Sequence, residues 1–247
     1  MITIRNLTMR LGGRDVLHNV NLEIGRGETL VVMGLSGVGK STLLKCMTGL
    51  LKPANGTIII EGKDITKLKP AELNELRKNI GMVFQSPALF DSLTVGENVA
   101  FGLREHTRLP EEEIQRIVAE KLAIVDLEGM ESLFPSQLSG GMQKRASLAR
   151  TITTNPEVIL YDEPTTGLDP IMSNVINELI MYLQKEFSVT SVVVTHDLES
   201  AFKIGNQIAM LYEAVIVEKG SPEEIKKSEN PVVKQFITGS ALGPIKV

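Results

Sequence analysis

The sequence predicts an α/β fold: a parallel-sheet core with an N-terminal antiparallel β layer and an inserted helical subdomain. Three observations carry that prediction. Thr29–Met33, Val158–Tyr161 and Ser191–Thr195 are short, continuous apolar runs, the pattern of strands covered on both faces. Ile2–Met9 and Val16–Ile24 alternate apolar and polar residues, as half-buried strands do. From about Ser86 to Asn155 the chain carries helical signals and no convincing strand.

Taken in order, Gly12–Gly13 turns between the first two strands. The buried run Thr29–Met33 then enters a glycine-rich loop and a helix over Ser41–Leu51, with Leu43, Leu44, Met47 and Leu51 on one face. Thr57–Glu61 and Ile80–Gln85 read as further strands. Pro110 followed by three glutamates is a helix start, with proline in the first turn and acids near the positive end of the dipole. Ile114, Ile117, Val118, Leu122 and Val125 recur behind it at helical spacing. Ser221–Pro222 and Asn230–Pro231 each read as a cap with proline at the first helical position. Gly239–Val247 looks like a mobile tail. The expected division is 1–85 with 156–230 as the nucleotide-binding core and β layer, 86–155 as the helical subdomain, and 231–247 as a C-terminal helix and tail.

Composition narrows the function classes. The chain has 247 residues, enough for one large domain or one with an inserted subdomain, and needs no staples. Its single cysteine, Cys46, excludes an internal disulfide and fits a reducing compartment. Acids outnumber bases to give a net charge of −4, and the bases are scattered, which argues against nucleic acid as a partner. Lys144, Arg145 and Arg150 accordingly read as a solvated face. No signal peptide is apparent in Met1–Arg10, and no apolar run reaches membrane-spanning length.

Two segments invite an anion. Gly34–Thr42 (GLSGVGKST) fits the phosphate-binding loop in its required context, after a strand and before a helix. Its glycines free backbone N–H groups to face phosphates, Lys40 supplies a point charge for the β- and γ-phosphates, and Ser41 is a hard-oxygen ligand for Mg²⁺. Ser139, Gly140 and Gly141 open a second helix whose N–H groups are bare, although the same residues would make a plain helix cap. Asp162 and Glu163 end a buried strand, at the sheet edge where ligands bind. Asp162 is placed to hold Mg²⁺ through water and Glu163 to polarise an attacking water. His196 ends another strand, where it could reach a γ-phosphate; alone, it would read as structural. Gln85 is a weaker candidate for Mg²⁺ or water.

Taken together, GLSGVGKST, Gln85, LSGGM, VILYDEP, the Gly167–Leu168–Asp169 turn and His196 occur in the order found in ABC transporter ATPase subunits, which the chain resembles over nearly its whole length. The resemblance implies a P-loop fold and two copies that sandwich two ATP molecules head to tail, with Mg²⁺. Each ATP would touch Gly34, Leu35, Ser36, Gly37, Val38, Gly39, Lys40, Ser41, Thr42, Gln85, Asp162, Glu163 and His196 of one chain. It would touch Ser139, Gly140 and Gly141 of the other, and Asp169 would cross the seam. Gln85 and the helical segment after it would meet a permease.

Phe84–Pro110, the tail Lys234–Pro244 and Met142 in place of the commoner glutamine resemble the ATPases of Mla-type, MCE-linked phospholipid transporters. That narrower resemblance implies a membrane permease, an MCE-domain lipid-binding protein and, in some systems, a STAS-domain protein. The place implied is the cytoplasmic face of the inner membrane, held there by the permease. Leu11 aligns where many relatives stack an aromatic residue on adenine, and it offers apolar contact without stacking. Two other readings remain: the ATPase of a polar-solute importer, and a non-transport ABC protein. The second fits poorly, because the interval from Lys40 to Leu138 holds no sustained heptads.

Overall fold

The structure, a computed structural model, describes residues 1–246. Strands β1 (Ile2–Leu11) and β2 (Arg14–Ile24) form the expected hairpin, with Gly12 and Gly13 both at positive φ in its turn. With β4 (Asn55–Ile60) and β5 (Lys63–Asp64) they make an antiparallel sheet in the order β2-β1-β4-β5. A second sheet takes β3 (Thr29–Met33), β6 (Ile80–Val83), β7 (Val158–Asp162), β8 (Thr190–Thr195), β9 (Gln207–Tyr212) and β10 (Val215–Gly220) in the order β10-β9-β3-β8-β7-β6. It is parallel from β9 to β6, and β10 is antiparallel at the edge.

The continuous apolar runs now have a cause. Every residue of β3, β7 and β8 is buried, and alternate residues feed two different cores. Leu30, Val32, Val158, Leu160, Val192 and Val194 face the antiparallel sheet across α1 (Lys40–Met47), whose Leu43, Leu44 and Met47 fill the space between. Val31, Met33, Ile159, Tyr161 and Val193 face the other way, into a core shared with the helices. A strand with two apolar faces has no polar period to show.

Between β6 and β7 lie α3 (Val95–His106), α4 (Glu111–Ile124) and α5 (Gly140–Ile152), and no strand. Thr94 and Glu97 cap α3 reciprocally. Helix α4 buries Ile114, Val118 and Leu122 as their spacing predicts, and Pro110 sits at its N-cap, one position before the first turn. The remaining helices are α2 (Pro70–Arg77), α6 (Pro170–Phe187), α7 (Leu198–Ile204), α8 (Pro222–Lys226) and α9 (Pro231–Thr238). Ser221 and Asn230 cap α8 and α9 by accepting from Glu224 and Val232 N–H.

Some expectations are corrected. Helix α1 ends at Met47, so Leu51 lies outside it, and β6 ends at Val83, two residues before Gln85. The tail is held: Gln235 donates from Nε2 to the Ile245 carbonyl (3.1 Å) and accepts from its N–H (2.7 Å), and Ile245 is buried. Val247 lies outside the described residues. Among the described residues no helix is long and apolar enough to cross a membrane.

Candidate nucleotide site

The loop between β3 and α1 wraps a cleft of about 310 Å³ lined by Ser36, Gly37, Gly39, Lys40, Ser41, Thr42, Gln85, Glu163 and His196. It opens at the carboxyl edge of the parallel sheet, where β3, β7 and β8 all end. Gly39 is required there twice over: its φ is 114°, and a Cβ would lie 2.7 Å from the Val16 carbonyl of β2.

Lys40 is buried. Its ammonium donates to the carbonyls of Gly34 (2.8 Å) and Leu35 (3.1 Å) and pairs with Glu163 Oε1 at 3.1 Å. Within the loop, then, the lysine bridges the turn it belongs to and the acid at the end of β7. Ser41 Oγ donates to Asp162 Oδ1 at 2.7 Å, joining α1 to the same strand end. These two oxygens and the Gln85 amide at the cleft wall are hard donors, as Mg²⁺ prefers. Among the described residues no group of three or more His, Cys, Asp or Glu side chains could hold a metal alone. A Mg²⁺ site with one carboxylate, completed by phosphate oxygens and water, has that donor set, so the residues fit the ion.

Glu163 is the most constrained residue of the site. Its φ is +49°, a left-handed conformation uncommon outside glycine, and its N–H is tied to the Val194 carbonyl of β8. Its carboxylate accepts from the His196 ring (Nδ1, 2.9 Å), the His196 N–H (3.3 Å) and the Thr166 hydroxyl (3.2 Å). Burial pushes its pKa up, but the His196 hydrogen bond and the Lys40 charge outweigh that and hold it below the usual carboxylate value. An ionised carboxylate beside a half-exposed imidazole, at the open end of a phosphate-sized cleft, can accept a proton from water.

The other sequence candidates lie elsewhere. Ser139 and Gly140 are exposed at the start of α5 and do not line the cleft; nothing lies within 4 Å of a Cβ built on Gly140, so that helix end is open. The Ser139 hydroxyl accepts from Met142 N–H as a cap. Gly141 packs its first turn against Met172 of α6. Asp169 is exposed and caps α6 through Ile171 and Met172 N–H. Leu11 is exposed at the end of β1, outside the cleft lining.

Two findings were not foreseen in the sequence. Thr166 holds Glu163, and a hydroxyl three residues past the acid was its only signal. The expected solvated face of Lys144, Arg145 and Arg150 is largely covered: Lys144 is buried, Arg145 and Arg150 are partly buried, and each cation reaches backbone carbonyls, at Pro164 and Thr166, at Val125 and Asp126, and at Pro87 and Ala88 respectively. Helical spacing alone places such residues on a surface and cannot say which neighbouring loop covers it.

Fold and cleft together define a P-loop nucleotide triphosphatase. The profile of the ABC transporter family matches residues 17–166. Over 246 residues the chain is 44% identical to the intermembrane phospholipid transport system ATP-binding protein MlaF of Haemophilus influenzae, covering 100% of this chain and 93% of that protein. It is 43% identical to the probable ribonucleotide transport ATP-binding protein mkl of Mycobacterium tuberculosis, covering 99% of this chain and 68% of that one. Among solved structures it resembles the dimeric post-hydrolysis state of the cassette MJ0796 bound to ADP and phosphate, with a TM-score of 0.83 and 36% identity, over 90% of this chain and 99% of that one. This chain belongs to the ABC transporter family and is one of its ATP-binding, ATP-hydrolysing subunits.

Proposed function

We propose that the chain powers phospholipid transport between membranes. Two copies close head to tail on two ATP molecules and drive a separate permease. The observation that carries the catalytic part is the convergence of Lys40, the Ser41–Asp162 pair and the Glu163–His196 pair on one cleft. In this reading Gly34–Thr42 cradles the phosphates, with Lys40 turning from the loop carbonyls to the γ-phosphate. Leu11 gives the base apolar contact. Ser41, Gln85 and Asp162 hold Mg²⁺, which supplies charge neutralisation across the phosphates. Glu163 takes the proton of the attacking water, and His196 orients Glu163 and meets the γ-phosphate.

The exposed end of α5 belongs to the second copy's ATP. Ser139, Gly140 and Gly141 present N–H groups to it, and Asp169 lies at the seam. Support comes from the solved dimer of MJ0796 and from the openness of that helix end. Phe90, in the segment after Gln85, and Phe101 of α3 lie 4.8 Å apart with their rings tilted by 41°, and as exposed aromatic side chains they suit a permease helix. The substrate reading rests on similarity to the Haemophilus protein. It brings an MCE-domain lipid carrier and a STAS-domain protein as partners, at the cytoplasmic face of the inner membrane. The mycobacterial relative's name favours a second reading, transport of a polar nucleotide-like solute.

The test of the chemistry is Glu163→Gln, which is expected to bind ATP, lose hydrolysis and accumulate a closed dimer in size-exclusion chromatography; near-normal turnover removes Glu163 from its role. For the substrate, the complex purified from membranes is expected to carry phospholipid, detected by mass spectrometry. Co-purification of a polar solute in its place supports the second reading.

A further inference from the structure

The buried ammonium of Lys144 has no place in the reading above. Lys144 lies on the second turn of α5, is 8% exposed, and donates from Nζ to the Pro164 carbonyl at 2.9 Å and the Thr166 carbonyl at 2.6 Å. Those two carbonyls flank Thr165 in the turn that starts at Glu163 and ends at Asp169. Thr165 is itself buried, its hydroxyl donating to Asp197 Oδ2 at 3.3 Å. Burial draws the lysine below its usual pKa, and the Glu163 carboxylate opposes the shift, so its charge and the acid feel one another.

Few groups could do this work. Carbonyls in a turn have no strand or helix partner, and inside the protein an unpaired one is costly. A single ammonium satisfies two of them. The turn begins at a left-handed, strained residue, and such a conformation persists only where its surroundings over-determine it. His196, Thr166 and Lys40 hold the Glu163 side chain; Lys144 holds the backbone that follows it. The same helix opens with Ser139–Gly141, and Gly141 packs on Met172 in the first turn of α6, just past the end of that turn.

We propose that Lys144 is a positioning residue for hydrolysis, clamping the Glu163–Asp169 turn to the helix that begins at Ser139. The base for one ATP and the anion-binding helix end offered to the other copy's ATP are thereby held as one rigid piece of each chain. The proposal rests on the assignment of Glu163 as base and of Ser139–Gly141 as a half-site for the second copy.

Lys144→Met keeps length and apolar volume and removes the donors and the charge. Full-length chains are compared at saturating Mg-ATP. The Met variant is expected to lose at least about tenfold in kcat while its affinity for a fluorescent ATP analogue stays within about twofold of wild type. Lys144→Arg, which restores charge and paired donors, is expected to recover part of that kcat. Wild-type turnover in the Met variant overturns the proposal. So does a fall in turnover matched by an equal fall in nucleotide affinity, which marks a merely structural lysine. Should the Met variant not fold by circular dichroism, Lys144→Leu, which likewise lacks donors and charge, carries the same comparison. Glu163→Gln measured alongside separates the two claims: if it hydrolyses normally the base assignment fails, whereas an inactive Glu163→Gln beside a fully active Lys144→Met removes only the clamp.

Discussion

Glu163 concentrates the electrostatics of this site into one carboxylate, and its titration is the first thing the geometry predicts. Its pKa in the fold lies below the ordinary value despite burial, because the His196 hydrogen bond and the Lys40 ammonium favour the ionised form. A carboxylate depressed in the native state adds stability above its unfolded pKa, and that stability is lost as pH falls through the native one. Glu163→Gln, which cannot titrate, is therefore expected to lose melting temperature less steeply than wild type as pH drops below the ordinary carboxylate value; parallel curves would show that the pair contributes no linkage. Lys40 is the complementary case. Lys40→Ala leaves the Gly34 and Leu35 carbonyls without their donor and Glu163 without its buried counter-charge. We expect ATP binding by calorimetry to fall below detection while the chain stays folded, and unchanged affinity refutes the phosphate-loop assignment.

At the scale of elements, α5 is the helix on which the separate parts of the site are registered. Its three cations point to three different segments. Lys144 holds the turn after Glu163, Arg145 the end of α4, and Arg150 the Pro87 and Ala88 carbonyls just past Gln85. Removing Arg150 frees the exposed Ala88 carbonyl and the partly buried Pro87 carbonyl from a strong donor, so Arg150→Ala is expected to cost about 1 kcal/mol in urea unfolding. It should also raise amide exchange locally around Gln85–Phe90; a cost without local exchange places the effect elsewhere. These tethers mark the boundary of what the sequence could tell. Strands β3, β7 and β8 were legible because burial on both faces leaves a continuous apolar run, and the phosphate loop because glycine spacing encodes a backbone shape. Strand β10 and helix α2 are not legible, since peripheral elements owe their form to neighbours, and the interior strand β9 is missed with its hairpin partner. The cations of α5 were misread because a helix pattern records which face a residue is on, and the loops that cover that face come from far along the chain. The hold on the tail is equally invisible in the pattern: the Gln235 side-chain amide clamps the Ile245 backbone, and an apolar/polar pattern does not record which backbone groups a polar side chain meets.

For the whole molecule, the decisive feature is that the cleft and the bare end of α5 occupy different places on one chain. If each ATP is held between Lys40 of one copy and Ser139 of the other, a symmetric dimer has two such sites, and every chain contributes half of each. Lys40→Ala spoils the loop half alone. Ser139→Arg places a long cation at the open helix end and spoils the other half, while leaving the chain's own loop able to bind ATP. Each variant alone should be inactive, because every site in its dimer has one bad half. Mixed in equal amounts, they behave differently. In a mixed dimer both lesions fall on the same site, and the second site is built from an intact loop and an intact helix end. About half of the dimers are mixed and each has one good site of two, so about a quarter of wild-type turnover is expected if the sites act independently. Phosphate release from the mixture, against each variant alone, is the measurement. Recovery above the separate variants supports shared sites; a mixture as inactive as its components refutes independent sites formed between two copies.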